Sequence, residues 1–65
     1  MIRLTQLREE RAWSKSELAR RARMAGSTVG AIENERIHPY EVQLRKLSKA
    51  LAYLGDPADL LREAT

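Results

Sequence analysis

The sequence contains no cysteine. That excludes a disulfide framework and a thiolate zinc site. Its single histidine, His38, has no second imidazole or thiolate to share a metal with, so no metal centre is expected. No apolar run approaches the roughly 18 residues that a membrane span requires. No signal-peptide-like apolar stretch follows Met1-Ile2-Arg3, so the expectation is a cytoplasmic protein with no membrane partner. Internal repeats, low-complexity segments and period-two strand patterns are also missing, which points to an all-α chain.

Catalytic equipment is equally sparse. His38 has no cysteine to activate, and none of the serines stands in a nucleophile-elbow pattern. Gly26 and Gly30 are not followed by the Lys-Ser/Thr of a phosphate loop. Most carboxylates fall at helix starts or in i, i+4 charge patterns, where they serve structure. No enzyme and no cofactor are expected.

What remains is 65 residues, one domain spanning 1–65. A chain this short has a marginal hydrophobic core and often gains stability by dimerising or by belonging to a longer polypeptide. The net charge is +3. Between Arg11 and Arg23 the cations Arg11, Lys15, Arg20, Arg21 and Arg23 face one acid, Glu17. A basic patch on a small domain is the electrostatic footprint of a polyanion, although a solvated surface helix carries such charge too.

The informative stretch is Ser14 to Asn34, SKSELARRARMAGSTVGAIEN. Ser14 followed by Glu17 predicts a reciprocal capping box. Leu18, Ala19 and Ala22 then form one apolar strip, and Val29 and Ile32 a second. Two short helices joined by about three residues match a helix-turn-helix, and also two ordinary helices of a small bundle. With Val29 and Ile32 on the core face, Gly26 and Gly30 fall on the outer face of the second helix. That face is nearly smooth, at a cost of about 1 kcal/mol in helix propensity per interior glycine.

The flanking chain supplies the rest. Leu4 to Arg11 reads as a first helix, with Leu4, Leu7 and Arg11 on one stripe and Arg8 beside Leu7 and Leu4. Trp13 reads as core filling between helices. Glu35 to Tyr40 is a loop, since Pro39 disfavours helix at His38. Leu44, Leu47, Leu51 and Leu54 predict a long amphipathic helix from about Glu41 to Tyr53, stopped by Gly55 at its C′ position. Asp56-Pro57 starts a last short helix carrying Leu60 and Leu61. The sum is five helices.

In this order and spacing the chain resembles the Cro/CI-type helix-turn-helix repressors, the XRE family. The resemblance covers about Leu4 to Leu61. It rests on Leu7-Arg8-Glu9-Glu10-Arg11, Trp13-Ser14-Lys15, Glu17-Leu18-Ala19, Ser27-Thr28-Val29, Ile32-Glu33-Asn34, Pro39, Leu44-Arg45-Lys46-Leu47 and Ala50-Leu51. It implies a compact, lambda-repressor-like five-helix bundle that binds double-stranded DNA, as a homodimer, and regulates transcription. Gly26 to Asn34 matches the recognition helix, with Gly26, Ser27, Gly30 and Ala31 facing bases and Thr28 able to add a hydrogen bond. Lys15 and Ser16 match phosphate contacts before that helix, and Asn34 and Arg36 match those after it. Arg8 and Glu33 match an internal salt bridge.

Three departures stand out. Arg23 occupies the turn position where the family usually has glycine, and Ala25 the usual Ser/Thr cap. The base-facing Gly26, Ser27, Gly30 and Ala31 lack the long amide or guanidinium groups that bidentate readout uses. Two rival readings follow: a protein-interaction module on the same fold, such as an antitoxin or adaptor, and a DNA-reading fragment of a longer protein.

Overall fold

Each helix begins just after a residue in extended conformation, and each α-helix ends where the backbone turns left-handed. In the computed structural model, which describes residues 1–64, the helices are α1 Arg3–Glu10, α2 Lys15–Ala22, α3 Gly26–Glu33 and α4 Glu41–Ala50, followed by a 3₁₀ helix Pro57–Leu61. At the start of α2 the Ser14 hydroxyl accepts from the Glu17 N–H at 3.0 Å. The reciprocal arm of the expected capping box is replaced. Glu17 turns its carboxylate toward Arg20 and Arg21, each at 2.6 Å, because two charge-assisted bonds outweigh one to a backbone amide. The start of α4 uses the other arm: the Gln43 side chain accepts from the Tyr40 N–H at 2.9 Å.

All four α-helices close in one way. The N–H groups of Trp13, Met24, Arg36 and Tyr53 reach back to the carbonyls of Arg8, Ala19, Ala31 and Ser48, at 2.8–3.2 Å. Before each of these stands a left-handed residue: Ala12, Arg23, Glu35 or Ala52, with φ of 53–58°. These are Schellman closures, in which glycine is the usual left-handed residue. Here none is glycine, and no described glycine has positive φ.

Two expectations about the C-terminal half require correction. α4 stops at Ala50, short of Tyr53, because Ala52 supplies the left-handed turn instead of Gly55. The Ser48 hydroxyl donates to the Tyr53 carbonyl at 3.1 Å and fixes the reversal. Leu54, on the leucine stripe by spacing, is consequently 99% exposed. Gly55 answers a different need: a Cβ there would lie 2.8 Å from the Tyr53 hydroxyl oxygen. The second correction is the helix count, four α-helices rather than five among the described residues. Asp56 caps the last element by accepting from the Ala58 N–H at 3.0 Å, but only one short 3₁₀ segment forms. Arg62 is already extended, drawn out by an isolated antiparallel bridge between Ile2 and Glu63. The Arg3 N–H donates to the Arg62 carbonyl and the Ala64 N–H to the Met1 carbonyl, at 2.8 and 2.9 Å. Two residues ahead of α1 are too few to show a strand period.

The core is built from Leu4, Leu18, Val29, Ile32, Leu47, Leu51 and Leu60, all fully buried. Ala19 and Ala22 let α2 lie close to α3 and α4. Trp13 packs on the edge of this cluster, half-buried, with the Arg21 guanidinium 4.3 Å above its ring and Arg11 at 5.7 Å.

Candidate nucleic-acid interface

Helices α2 and α3 are joined by Arg23, Met24 and Ala25. Arg23 takes the left-handed conformation (φ 58°) where glycine would be unstrained. Ala25 is extended and offers no side-chain cap, so α3 begins at Gly26 without one. Val29 and Ile32 point inward. Gly26 and Ser27 are exposed, and Thr28, Gly30 and Ala31 are half-buried.

The first turn of α2 lies across this helix. A Cβ on Gly26 would sit 3.7 Å from the Ser16 Oγ, and one on Gly30 would sit 3.9 Å from the Lys15 Cδ. The structure therefore gathers Lys15, Ser16, Gly26 and Gly30 into one patch. Asn34, the C-cap of α3, and Arg36 beyond it are exposed at the opposite end of the helix. The sequence reading needs amending at one point: Gly30 is half-buried rather than open surface, and the Lys15 Cδ lies near the place its Cβ would take. Both added-methyl distances are ordinary van der Waals contacts. Gly30→Ala is thus expected to stabilise the free domain by about 1 kcal/mol, read as a rise in melting temperature.

One ion pair ties α3 to the rest of the domain. Arg8 Nε donates to Glu33 Oε2 at 2.7 Å and Nη2 to Oε1 at 3.0 Å. Arg8 Nη1 donates to the Trp13 carbonyl at 2.7 Å. The two side chains are 10% and 3% exposed. The hydrogen bond to Glu33 pushes the Arg8 guanidinium further above its ordinary pKa, so it stays charged.

The basic run between Arg11 and Arg23 shrinks once partners are assigned. Arg11 donates to the carbonyls of Leu7 and Leu51, bracing α1 against the end of α4. Arg20 and Arg21 share Glu17. The Arg20 hydrogen bond, seconded by Arg21, holds the Glu17 carboxyl below the usual carboxylate range. Among the described residues, Lys15 and Arg23 keep no carboxylate partner, and neither does Arg36. Arg23 faces a shallow cleft of about 540 Å³ with Arg21, Lys46 and Lys49, floored by Ala22 and Ala50. Two helices end there, and their negative dipole ends account for the cations. The unpaired charge beside α3 itself is Lys15 on one side and Arg36 on the other.

A family model described as a helix-turn-helix domain matches residues 2–64. The chain belongs to the helix-turn-helix domain family. No curated protein and no solved structure matches it. In this helix-turn-helix domain the paired helices are α2 and α3. The sequence reading passed over the bracing role of Arg11 and the capture of Arg20 and Arg21 by Glu17. The i, i+3 and i, i+4 spacing of Glu17 to those arginines was the available signal for the second. No helix is long and apolar enough to cross a membrane, and no group of metal-ligating side chains forms, among the described residues.

Proposed function

We propose that this domain is a cytoplasmic, repressor-type transcriptional regulator that sets α3, with Asn34, into the major groove of double-stranded DNA. One observation carries the reading. The outward side of α3 is stripped of bulk at Gly26, Gly30 and Ala31, and it is flanked by two cations that no carboxylate of the described residues neutralises, Lys15 and Arg36. A smooth helix between two free charges can lie close to a grooved polyanion. Ser16 and the start of α2 approach one strand, aided by the helix dipole, while Asn34 and Arg36 approach the other. Ser27 and Thr28 offer hydroxyls to base edges or phosphates. DNA shape supplies part of the selectivity. A homodimer follows from the small number of bases one such helix touches.

The test is binding to duplex DNA across a range of salt. Log K is expected to fall with log salt at about 0.9 per neutralised phosphate. Arg36→Ala is expected to weaken binding to all sequences alike and to flatten that slope by about one. A shallow slope in the intact domain would favour the partner-protein reading, with the smooth face receiving a helix of an antitoxin or adaptor complex.

A further inference from the structure

We infer that Lys15 is a base-reading residue, selecting guanine from α2 across the glycine pair of α3, rather than the phosphate contact the family resemblance implies. This rests on α3 being the helix that enters the groove. The Lys15 Cδ lies 3.9 Å from the point that a Gly30 Cβ would occupy. That places the middle of its carbon stem beside the outer face of α3. Gly30 itself is half-buried. Ser16 settles beside Gly26 in the same way, 3.7 Å from its would-be Cβ. The two glycines, four residues apart, form a shallow track in which the first turn of α2 rides.

Beyond Cδ, Lys15 still has one methylene and an ammonium with three donors. No carboxylate of the described residues pairs with it. The outward positions of α3 supply only the hydroxyls of Ser27 and Thr28, so the helix itself reads bases weakly. A lysine ammonium can donate to the O6 and N7 of guanine in the major groove. Glycine at position 30 is what leaves the lysine stem its place. A long side chain there would evict it.

The experiment is selection of binding sites from random duplex DNA by the intact domain, Lys15→Ala, Lys15→Gln and Gly30→Met, with the salt slope measured on each. The intact domain is expected to enrich guanine at one position per half-site. Lys15→Ala is expected to lose that preference, with affinity for the selected site falling roughly ten-fold or more and little change on sites bearing another base there. Lys15→Gln is expected to shift the preference to adenine, which glutamine reads. Gly30→Met is expected to erase it with Lys15 still present. Uniform weakening by Lys15→Ala on every sequence, with a slope lower by about one, would return Lys15 to the phosphates and overturn the inference. An intact domain that binds no duplex at all would overturn the reading of α3 as well.

Discussion

Arg8→Met is expected to destabilise the domain by about 3–5 kcal/mol, and Glu33→Leu by a similar amount. The reason is burial rather than the strength of the pair. Two parallel hydrogen bonds of 2.7 and 3.0 Å join the guanidinium to the carboxylate, and only 10% and 3% of the side chains are exposed. Removing either partner leaves the other charge nearly out of reach of water, with only the carboxylate of Glu9, Oε2 at 3.8 Å, left to Arg8 among the described residues. In a chain of 65 residues the whole folding free energy is of the order of 3–10 kcal/mol. Either single variant is thus expected to be largely unfolded, or close to it, at 25 °C. The double variant Arg8→Met/Glu33→Leu is expected to recover most of the loss, since apolar groups of similar volume replace a desolvated pair at little net cost. Recovery stays incomplete because the Trp13 carbonyl, which accepts from Arg8 Nη1 at 2.7 Å, is left without that donor. Urea unfolding of the intact domain and the three variants gives the coupling energy directly. Single-variant losses well under 1 kcal/mol would mean the pair behaves as a solvated one.

The same pair shows what a sequence reveals and what it hides. Arg8 stood out because a cation beside Leu4 and Leu7 requires a partner or an exit to solvent. Glu33, 25 residues away, stood out locally only as the residue after core Ile32; its pairing with Arg8 came from the family resemblance. The helix-turn-helix was legible because its signals are local: Ser14 as cap, inward Val29 and Ile32, and a turn too short to wander. The C-terminal half was less so. The leucine period runs on to Leu54 although the helix ends at Ala50, because hydrophobic spacing reports a face and not a stop. The stop is Ala52 in a left-handed conformation, and alanine is the strongest helix former. The basic run was also misleading by itself. Its charges could be counted, but Glu17 takes two of them and backbone carbonyls take Arg11.

That reliance on left-handed residues other than glycine gives the second large expected effect. Replacing Ala12, Arg23, Glu35 and Ala52 by glycine should stabilise the domain at every helix end. An L-residue with φ near +55° pays roughly 1–2 kcal/mol that glycine does not. Glycine gives back about 0.4–1 kcal/mol through the greater freedom of the unfolded chain. The net gain is about 0.5–1 kcal/mol per site, with Ala12 and Ala52 coupled through the neighbouring contact of Arg11 with the Leu51 carbonyl. The fourfold variant is then expected to gain about 2–4 kcal/mol. A domain of this size shifts by roughly 4–8 °C per kcal/mol, so the change in melting temperature is large and easily read. Ala52→Gly is the cleanest single test. Ala52 is exposed, and the closure around it, Tyr53 N–H to the Ser48 carbonyl at 2.9 Å and the Ser48 hydroxyl to the Tyr53 carbonyl at 3.1 Å, uses no atom of the Ala52 side chain. Arg23→Gly separates strain from charge, because it also removes a cation from the cleft beside Lys46 and Lys49. Comparing it with Arg23→Asn, which keeps a side chain but tolerates the left-handed region, isolates the backbone contribution. If Ala52→Gly lowers the melting temperature, the left-handed turn after α4 is not strained, and unfolded-state entropy alone decides the sign.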